Sequence, residues 1–291
     1  MFSEPCSIPA RDGFNLAATC YTPAQSKQTV VVINSATAVL QRYYRPFASF
    51  LAEQGLTVIT YDYRGIGGSR PASLRGFEAR ARDWALLDMA GVVDWIQAKL
   101  NPQRLFAVGH SYGGQTVGLL PNGHAIDALV TSSSQSGYWR LQGRSQVLPV
   151  AFHMHITLPL LSHTMGYMPW SRFSSAEDLP KGVALEWSSW CRRPGYLRDD
   201  PTLPLERFEQ FRAPVLALSF DDDAWGTRRA VDAMMSAYPH LTRRHLIPAD
   251  VGLPAIGHFG FFRPPAAALW AEIVEWLEQA CPQPNPAPNS A

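Results

Sequence analysis

The strongest chemical signal in the chain is Gly109-His110-Ser111-Tyr112-Gly113, a Gly-x-Ser-x-Gly run. A serine in such a run serves as a nucleophile when it stands in a sharp turn between a strand and a helix. The turn lifts the hydroxyl clear of the backbone, and a side chain at either glycine would collide with the adjoining strand and helix. The same turn puts the Tyr112 amide at a helix start, where a free N–H can hold an oxyanion. A serine hydroxyl is a weak nucleophile alone and needs a general base, which in turn needs an orienting acid. In this arrangement both follow the serine, acid first and histidine last. The chain supplies Asp221-Asp222-Asp223 after the apolar run 215–218, and His258 within Ile256-Gly257-His258-Phe259-Gly260. Spacing from the strand end favours Asp223 as the acid, with Asp222 as the alternative. His258, in a loop of glycines and aromatics, is the expected base. His240 and His245 fall at a helix end and within a strand, and the His110 side chain is expected to point away from the hydroxyl. The second oxyanion donor is expected from Asn34-Ser35-Ala36-Thr37, with the Ala36 amide as the best positional match and Ser35 next.

These residues need a scaffold. Residues 5–9 and 15–21 flank the turn sequence Arg11-Asp12-Gly13 and are read as a hairpin. Thr29-Val30-Val31-Val32-Ile33 is a continuous β-branched run, the pattern of a strand covered on both faces. A helix is predicted over 42–53 and a strand over 56–61, followed by the glycine-rich loop 65–68. Over 77–98 the stripe Ala85, Met89, Val92 and Ile96 predicts one long helix. A strand at 105–108, helical residues 115–120 and a strand at 126–131 complete the first half. This alternation predicts a parallel sheet with helices on both faces. From 134 to 204 the pattern breaks. That stretch holds Trp139, Trp170, Trp187, Trp190 and many prolines but no clean strand, and it reads as an inserted, mostly helical segment. The alternation resumes with a strand at 215–218, a helix at 227–237 and a strand at 243–247. A last helix opens at Pro264-Pro265 and buries Leu269, Ile273, Trp276 and Leu277. Residues 282–291, rich in proline and asparagine, are predicted to be a disordered tail.

Composition narrows the partners. A net charge of +1 offers no basic surplus for nucleic acid. No apolar run approaches the roughly 18 residues of a membrane span. The opening residues lack a cationic segment followed by an apolar one, so a cytoplasmic location is expected. Cys6, Cys20, Cys191 and Cys281 form no Cys-x-x-Cys pair and are expected to be structural thiols. His153 and His155 have no third ligand at metal spacing and are read as packing or pocket lining; no metal is expected. The loop 65–68 lacks the residues that follow a phosphate-binding loop. Arg64, Arg70, Arg75, Arg80 and Arg82 could receive an anionic substrate group, or simply solvate a loop and a helix face. The aromatics of 134–204 either glue that segment to the sheet or wall an acyl or aryl pocket; Trp139 and Trp187 are taken as substrate-lining.

Taken together, the chain from about residue 11 to 277 resembles the α/β-hydrolase superfamily. The matching pieces are Asn34-Ser35-Ala36-Thr37, the run 61–67, the Gly109–Gly114 turn, the run 218–223 and the run 256–262. The wording YDYRGIGGSRP with GHFGFF is similar to a bacterial subgroup of predicted α/β-hydrolases related to the serine-aminopeptidase and monoglyceride-lipase-like branch. The resemblance implies a mostly parallel, eight-stranded sheet flanked by helices, a Ser-Asp-His triad, and a helical cap inserted after the sixth strand. On that basis 1–133 and 205–281 form the core and 134–204 the cap. The chain departs from the family at Asn34-Ser35, where many members carry His-Gly; this touches the oxyanion loop, not the triad. The expected reaction is hydrolysis of a small carboxylic ester or thioester without metal or organic cofactor. Ser111 attacks, His258 moves the proton, Asp223 orients it, and the Ala36 and Tyr112 amides hold the oxyanion. Acyl transfer on the same triad, lyase chemistry, and ligand binding without catalysis are the alternatives.

Overall fold

The structure, a computed structural model, describes residues 1–281; the predicted tail lies outside the described residues. The first half of the chain runs β1 (Phe2–Pro9), β2 (Asn15–Thr22), β3 (Thr29–Asn34), α1 (Arg45–Glu53) and β4 (Thr57–Tyr61). It continues through α2 (Ala81–Asp83), a wide helical turn at Trp84–Met89, α3 (Ala90–Leu100), β5 (Arg104–His110), α4 (Tyr112–Gln115) and β6 (Ala128–Ser132). Next come α5 (Val147–Phe152), α6 (Leu158–Met165), the short strands β7 (Tyr167–Met168) and β8 (Leu179–Pro180), and α7 (Lys181–Cys191). The chain closes with α8 (Glu206–Gln210), β9 (Val215–Phe220), α9 (Arg228–Met235), β10 (Leu241–Leu246) and α10 (Ala267–Ala280).

Eight strands form one sheet in the order β1-β2-β4-β3-β5-β6-β9-β10. β2 is antiparallel to both β1 and β4, and the remaining pairs are parallel. β3, β5 and β6 are buried along their whole length, which is why their sequences are unbroken apolar runs rather than alternating ones. Their side chains divide between two cores. Val30, Val32, Leu105, Ala107 and Leu129 face α3 and the segment between β6 and β9. Val31, Ile33, Phe106, Val108 and Val130 face α1 and α10. The parallel register brings the ends of β3, β5, β6 and β9 to one edge, where an open α/β sheet binds its ligands.

The predicted helix over 77–98 begins later, at Ala81. Arg80 is extended, and its N–H is capped by the Asp83 carboxylate at 2.7 Å, so the helix cannot run back past it. Phe77 packs on Phe14 instead. The helix expected over 115–120 is a single turn, α4, followed by a tighter one at Val117–Leu119, as befits Gly113 and Gly114 in its first turn. Segment 134–204 is mostly helical but also holds the antiparallel pair β7–β8. Four of the arginines of 64–82 are held in ion pairs and do not line the cavity. Arg64 is clamped between Asp88 and Asp12 at 2.7 Å each. Arg70 pairs with Asp178, Arg80 with Glu186, and Arg82 with both Glu186 and Asp200. The last three therefore tie the inserted segment to the rest of the fold.

Candidate active site

β5 ends at His110 and α4 opens at Tyr112, so Ser111 alone makes the turn, at φ 49° and ψ −117°. That conformation costs a non-glycine residue about 1–3 kcal/mol. The surrounding backbone holds it there: the Ser111 N–H donates to Ser132 O at 2.9 Å, and its carbonyl accepts from the amides of Gly114 and Gln115. A Cβ at Gly109 would lie 2.3 Å from the Gly114 Cα, and one at Gly113 would lie 2.1 Å from the Asn34 carbonyl oxygen. Both glycines are thus required by close approach. The Tyr112 amide is the first of α4 and precedes any intrahelical bond.

Past the end of β9, Asp223 is buried with one oxygen, Oδ1, accepting from the amides of Trp225 and Gly226 at 2.9 and 2.7 Å. Its other oxygen, Oδ2, is 2.9 Å from His258 Nδ1. A carboxylate only accepts, so Nδ1 carries the proton and Nε2 keeps its lone pair. Burial pushes the Asp223 carboxyl up, but the His258 ring and the Gly226 amide outweigh it and hold the pKa down at about 2. Asp222, the alternative acid, plays a different part. It accepts from the Ile256 and Gly257 amides at 2.8 and 2.9 Å and so anchors the loop that carries His258. Asp221 is exposed, 3.4 Å from His245.

His110 does point away from the Ser111 hydroxyl, into a buried relay. Its Nε2 is 2.8 Å from the His258 carbonyl oxygen, which can only accept, so Nε2 bears the proton. Its Nδ1 then accepts from the Tyr44 hydroxyl at 2.8 Å. Burial, aided by the neighbouring His258, lowers the His110 pKa to about 3, which keeps the ring neutral. The Tyr44 oxygen in turn accepts the Ala36 N–H at 2.9 Å. This corrects one expectation: Ala36 lines the cavity, but its N–H is spent on the Tyr44 hydroxyl. Ser35 does not line the cavity. Thr37 and Ala38 do line the cavity, and their N–H groups make no hydrogen bond among the described residues.

Ser111 and His258 open onto one cavity of about 580 Å³. Trp187 lines it, as expected from the sequence, together with Trp170, Trp225, Val150 and Met154. Trp139 does not line it, a second correction. The turn Trp139–Leu141 holds the ring against Tyr138 and His155 and beneath the Arg140 guanidinium, 4.7 Å from the ring centre. His153 stacks on Trp170, and His155 Nδ1 bonds to the Ala151 carbonyl, so each has a packing partner. Among the lining residues that sequence reasoning missed are the polar Gln115, Gln135 and Gln142. Gln135 Oε1 stands 3.5 Å from Ser111 Oγ. No motif marks a glutamine for such a place, and no residue pattern announces the Tyr44 relay.

Residues 28–149 match the family model described as alpha/beta hydrolase fold. A stretch of 131 residues, 43% of this chain, is 27% identical to the uncharacterized protein YfhR of Salmonella typhi and to that of Salmonella typhimurium; it spans 42% of those relatives. Among solved structures the chain is similar to the esterase domain of a Rhodothermus marinus protein, with TM-score 0.61, 16% identity, and 96% and 99% of the two chains covered. It is also similar to the esterase EaEST of Exiguobacterium antarcticum, with TM-score 0.62, 15% identity, and 94% and 100% covered. A third likeness is to the proline iminopeptidase of Mycobacterium smegmatis, with TM-score 0.61, 15% identity, and 95% and 98% covered. The chain has the α/β-hydrolase fold, and the family match together with that fold supports membership of the superfamily. Among the described residues no helix is long and apolar enough to cross a membrane.

Proposed function

We propose that the protein is a serine hydrolase that cleaves a carboxylic ester or thioester through an acyl-enzyme. The observation that carries this reading is the meeting of a strained Ser111 and an Asp223-oriented His258 at one cavity wall. In the proposed cycle His258 Nε2 takes the Ser111 proton as Oγ bonds to the carbonyl carbon. The tetrahedral oxyanion rests on the Tyr112 amide and on the free amides of the Thr37–Ala38 turn. Collapse breaks the bond to the leaving oxygen or sulfur, which receives the proton from His258. Water, activated by the same imidazole, then attacks the acyl carbon, and the second collapse returns the proton to Ser111. Asp223, ionised down to a pH of about 2, keeps the imidazole in the needed tautomer and stabilises its charged form. Segment 134–204 is proposed to act as the cap, since its Val150, Met154, Trp170 and Trp187 wall the cavity.

The test is steady-state hydrolysis of a short p-nitrophenyl ester. Ser111→Ala, His258→Ala and Asp223→Asn should each lower kcat/KM by about 10³–10⁴ or more with the fold intact. Undiminished hydrolysis in Ser111→Ala would exclude the mechanism.

A further inference from the structure

The cavity wall combines two unlike kinds of residue. Val39, Leu40, Val150, Met154, Trp170 and Trp187 are apolar or aromatic. Three buried glutamines line the same space, and two of them, Gln115 and Gln135, have an amide donor without a protein acceptor among the described residues. Gln142, 2% exposed, donates weakly from Nε2 to the carbonyls of Ser136 and Tyr138 at 3.4 and 3.5 Å, and its Oε1 is buried with no partner. Gln115, also 2% exposed, is oriented by a short chain: Trp187 Nε1 donates to the Tyr196 hydroxyl at 3.1 Å, which donates to Gln115 Oε1 at 3.0 Å. An indole N–H can only donate, so the direction of that chain is fixed. It leaves Gln115 Nε2 with no acceptor among the described residues. Gln135 turns Oε1 toward Ser111 and likewise leaves its Nε2 without an acceptor there.

The Nε2 donors of Gln115 and Gln135 have no protein acceptor among the described residues, and a hydrocarbon ligand that displaced water from them would leave them unpaired, which is costly. The charge of the cavity wall narrows the ligand further. Among the described residues no Asp, Glu or Lys lines it, and its two arginines, Arg42 and Arg263, are exposed. Resting on the serine-hydrolase reading above, we infer that the substrate of this site carries, close to its ester, a neutral group that accepts hydrogen bonds. That group is an amide or a hydroxyl. It would accept from Gln115 or Gln135 Nε2, while the substrate's carbon skeleton lies on Val150, Met154 and the tryptophans. Plain aliphatic esters are then poor substrates.

Matched esters test this, each enzymatic rate divided by that ester's hydroxide-catalysed rate. The amide pair on the acyl side is ethyl N-acetylglycinate against ethyl isocaproate. The hydroxyl pair is ethyl β-hydroxybutyrate against ethyl isovalerate. The pair on the alcohol side is the acetate of N-acetylethanolamine against isohexyl acetate. In at least one pair the polar member should have the higher normalised kcat/KM by about tenfold or more, since a site built to hydrogen-bond a group rejects the analogue lacking it. Gln115→Leu, or Gln135→Leu should that variant fold poorly, should bring the ratio to one or below. The ratio is taken within each variant, so it does not depend on the fraction of active protein. Hydrocarbon members equal or preferred in all pairs would overturn the inference, as would a ratio unmoved by both substitutions. Failure of every ester to turn over would also overturn it. Labelling of Ser111 by a fluorophosphonate then separates the cases: with labelling, only the substrate inference falls; without it, the serine-hydrolase reading falls too.

Discussion

His110, between Gly109 and Ser111, joins three pieces of the site without touching the proposed reaction. It bonds to the His258 carbonyl on one side and, through Tyr44, to the Ala36 amide on the other. Because burial depresses its pKa from 6.5 to about 3, it should leave a signature in stability. Between those values the unfolded chain takes up a proton that the native ring refuses. Stability therefore rises with pH across that window and is lost toward acid, by up to ~1.4 kcal/mol per pH unit. Asp223 does not confound this, since its contribution is complete above 3.8 and lost only as pH falls toward about 2. Urea unfolding of the wild type and of His110→Gln between pH 4.5 and 7 should show the variant's slope smaller by about one proton. Equal slopes would mean that His110 titrates normally in the native state. Ser111, Asp223 and His258, the proposed nucleophile, acid and base, stood out as candidates because each lies in a recognisable setting: two glycines demanded by close approach, an acid after a strand end, and a histidine in a late loop. Ala36 was misread because the partner of a loop amide, here a tyrosine just before α1, depends on packing that no local pattern encodes. The three glutamines went unnoticed for a related reason, as their residue type is at home on any surface.

At the level of elements, the sheet and the alternating helices followed from apolar runs and stripes, whereas the joints did not. The long helix expected from residue 77 starts at Ala81 because one carboxylate, Asp83, caps Arg80. The arginine cluster was legible as a cluster but not as a fastening, since its partners lie about a hundred residues away. Glu186 on α7 receives Arg80, the Arg82 guanidinium and the Arg82 amide together, and Asp200 takes the other end of Arg82. The Glu186 and Arg82 side chains are only 6% and 13% exposed. Removing Glu186 leaves the Arg82 amide and one side of its guanidinium without an acceptor while Asp200 still holds the other side, at a cost of about 1–3 kcal/mol. Glu186→Ala should thus lower the urea midpoint. It should also make residues 134–204 the first to be cut in limited proteolysis, with the sheet strands cut later. First cleavage elsewhere would show that these ion pairs do not hold the segment.

Across the whole molecule, the parallel sheet delivers the ends of β3, β5, β6 and β9 to one edge, and Val150, Met154, Trp170 and Trp187 of segment 134–204 wall one cavity together with Ser111 and His258. That the sheet is mostly parallel with helices on both faces was readable from the alternation, and its eight strands from the resemblance, but not the strand order. The shape of the cavity was not, because it depends on how an irregular, proline-rich segment settles; of the two tryptophans expected in its wall, Trp187 is there and Trp139 is not. The central claim is that this assembly activates Ser111 as a nucleophile. Intact mass after incubation with a fluorophosphonate tests it most directly, on the wild type and on Ser111→Ala. The account predicts one covalent adduct on the wild type and none on the variant. No adduct on a folded wild-type protein, or an equal adduct on both, would contradict it.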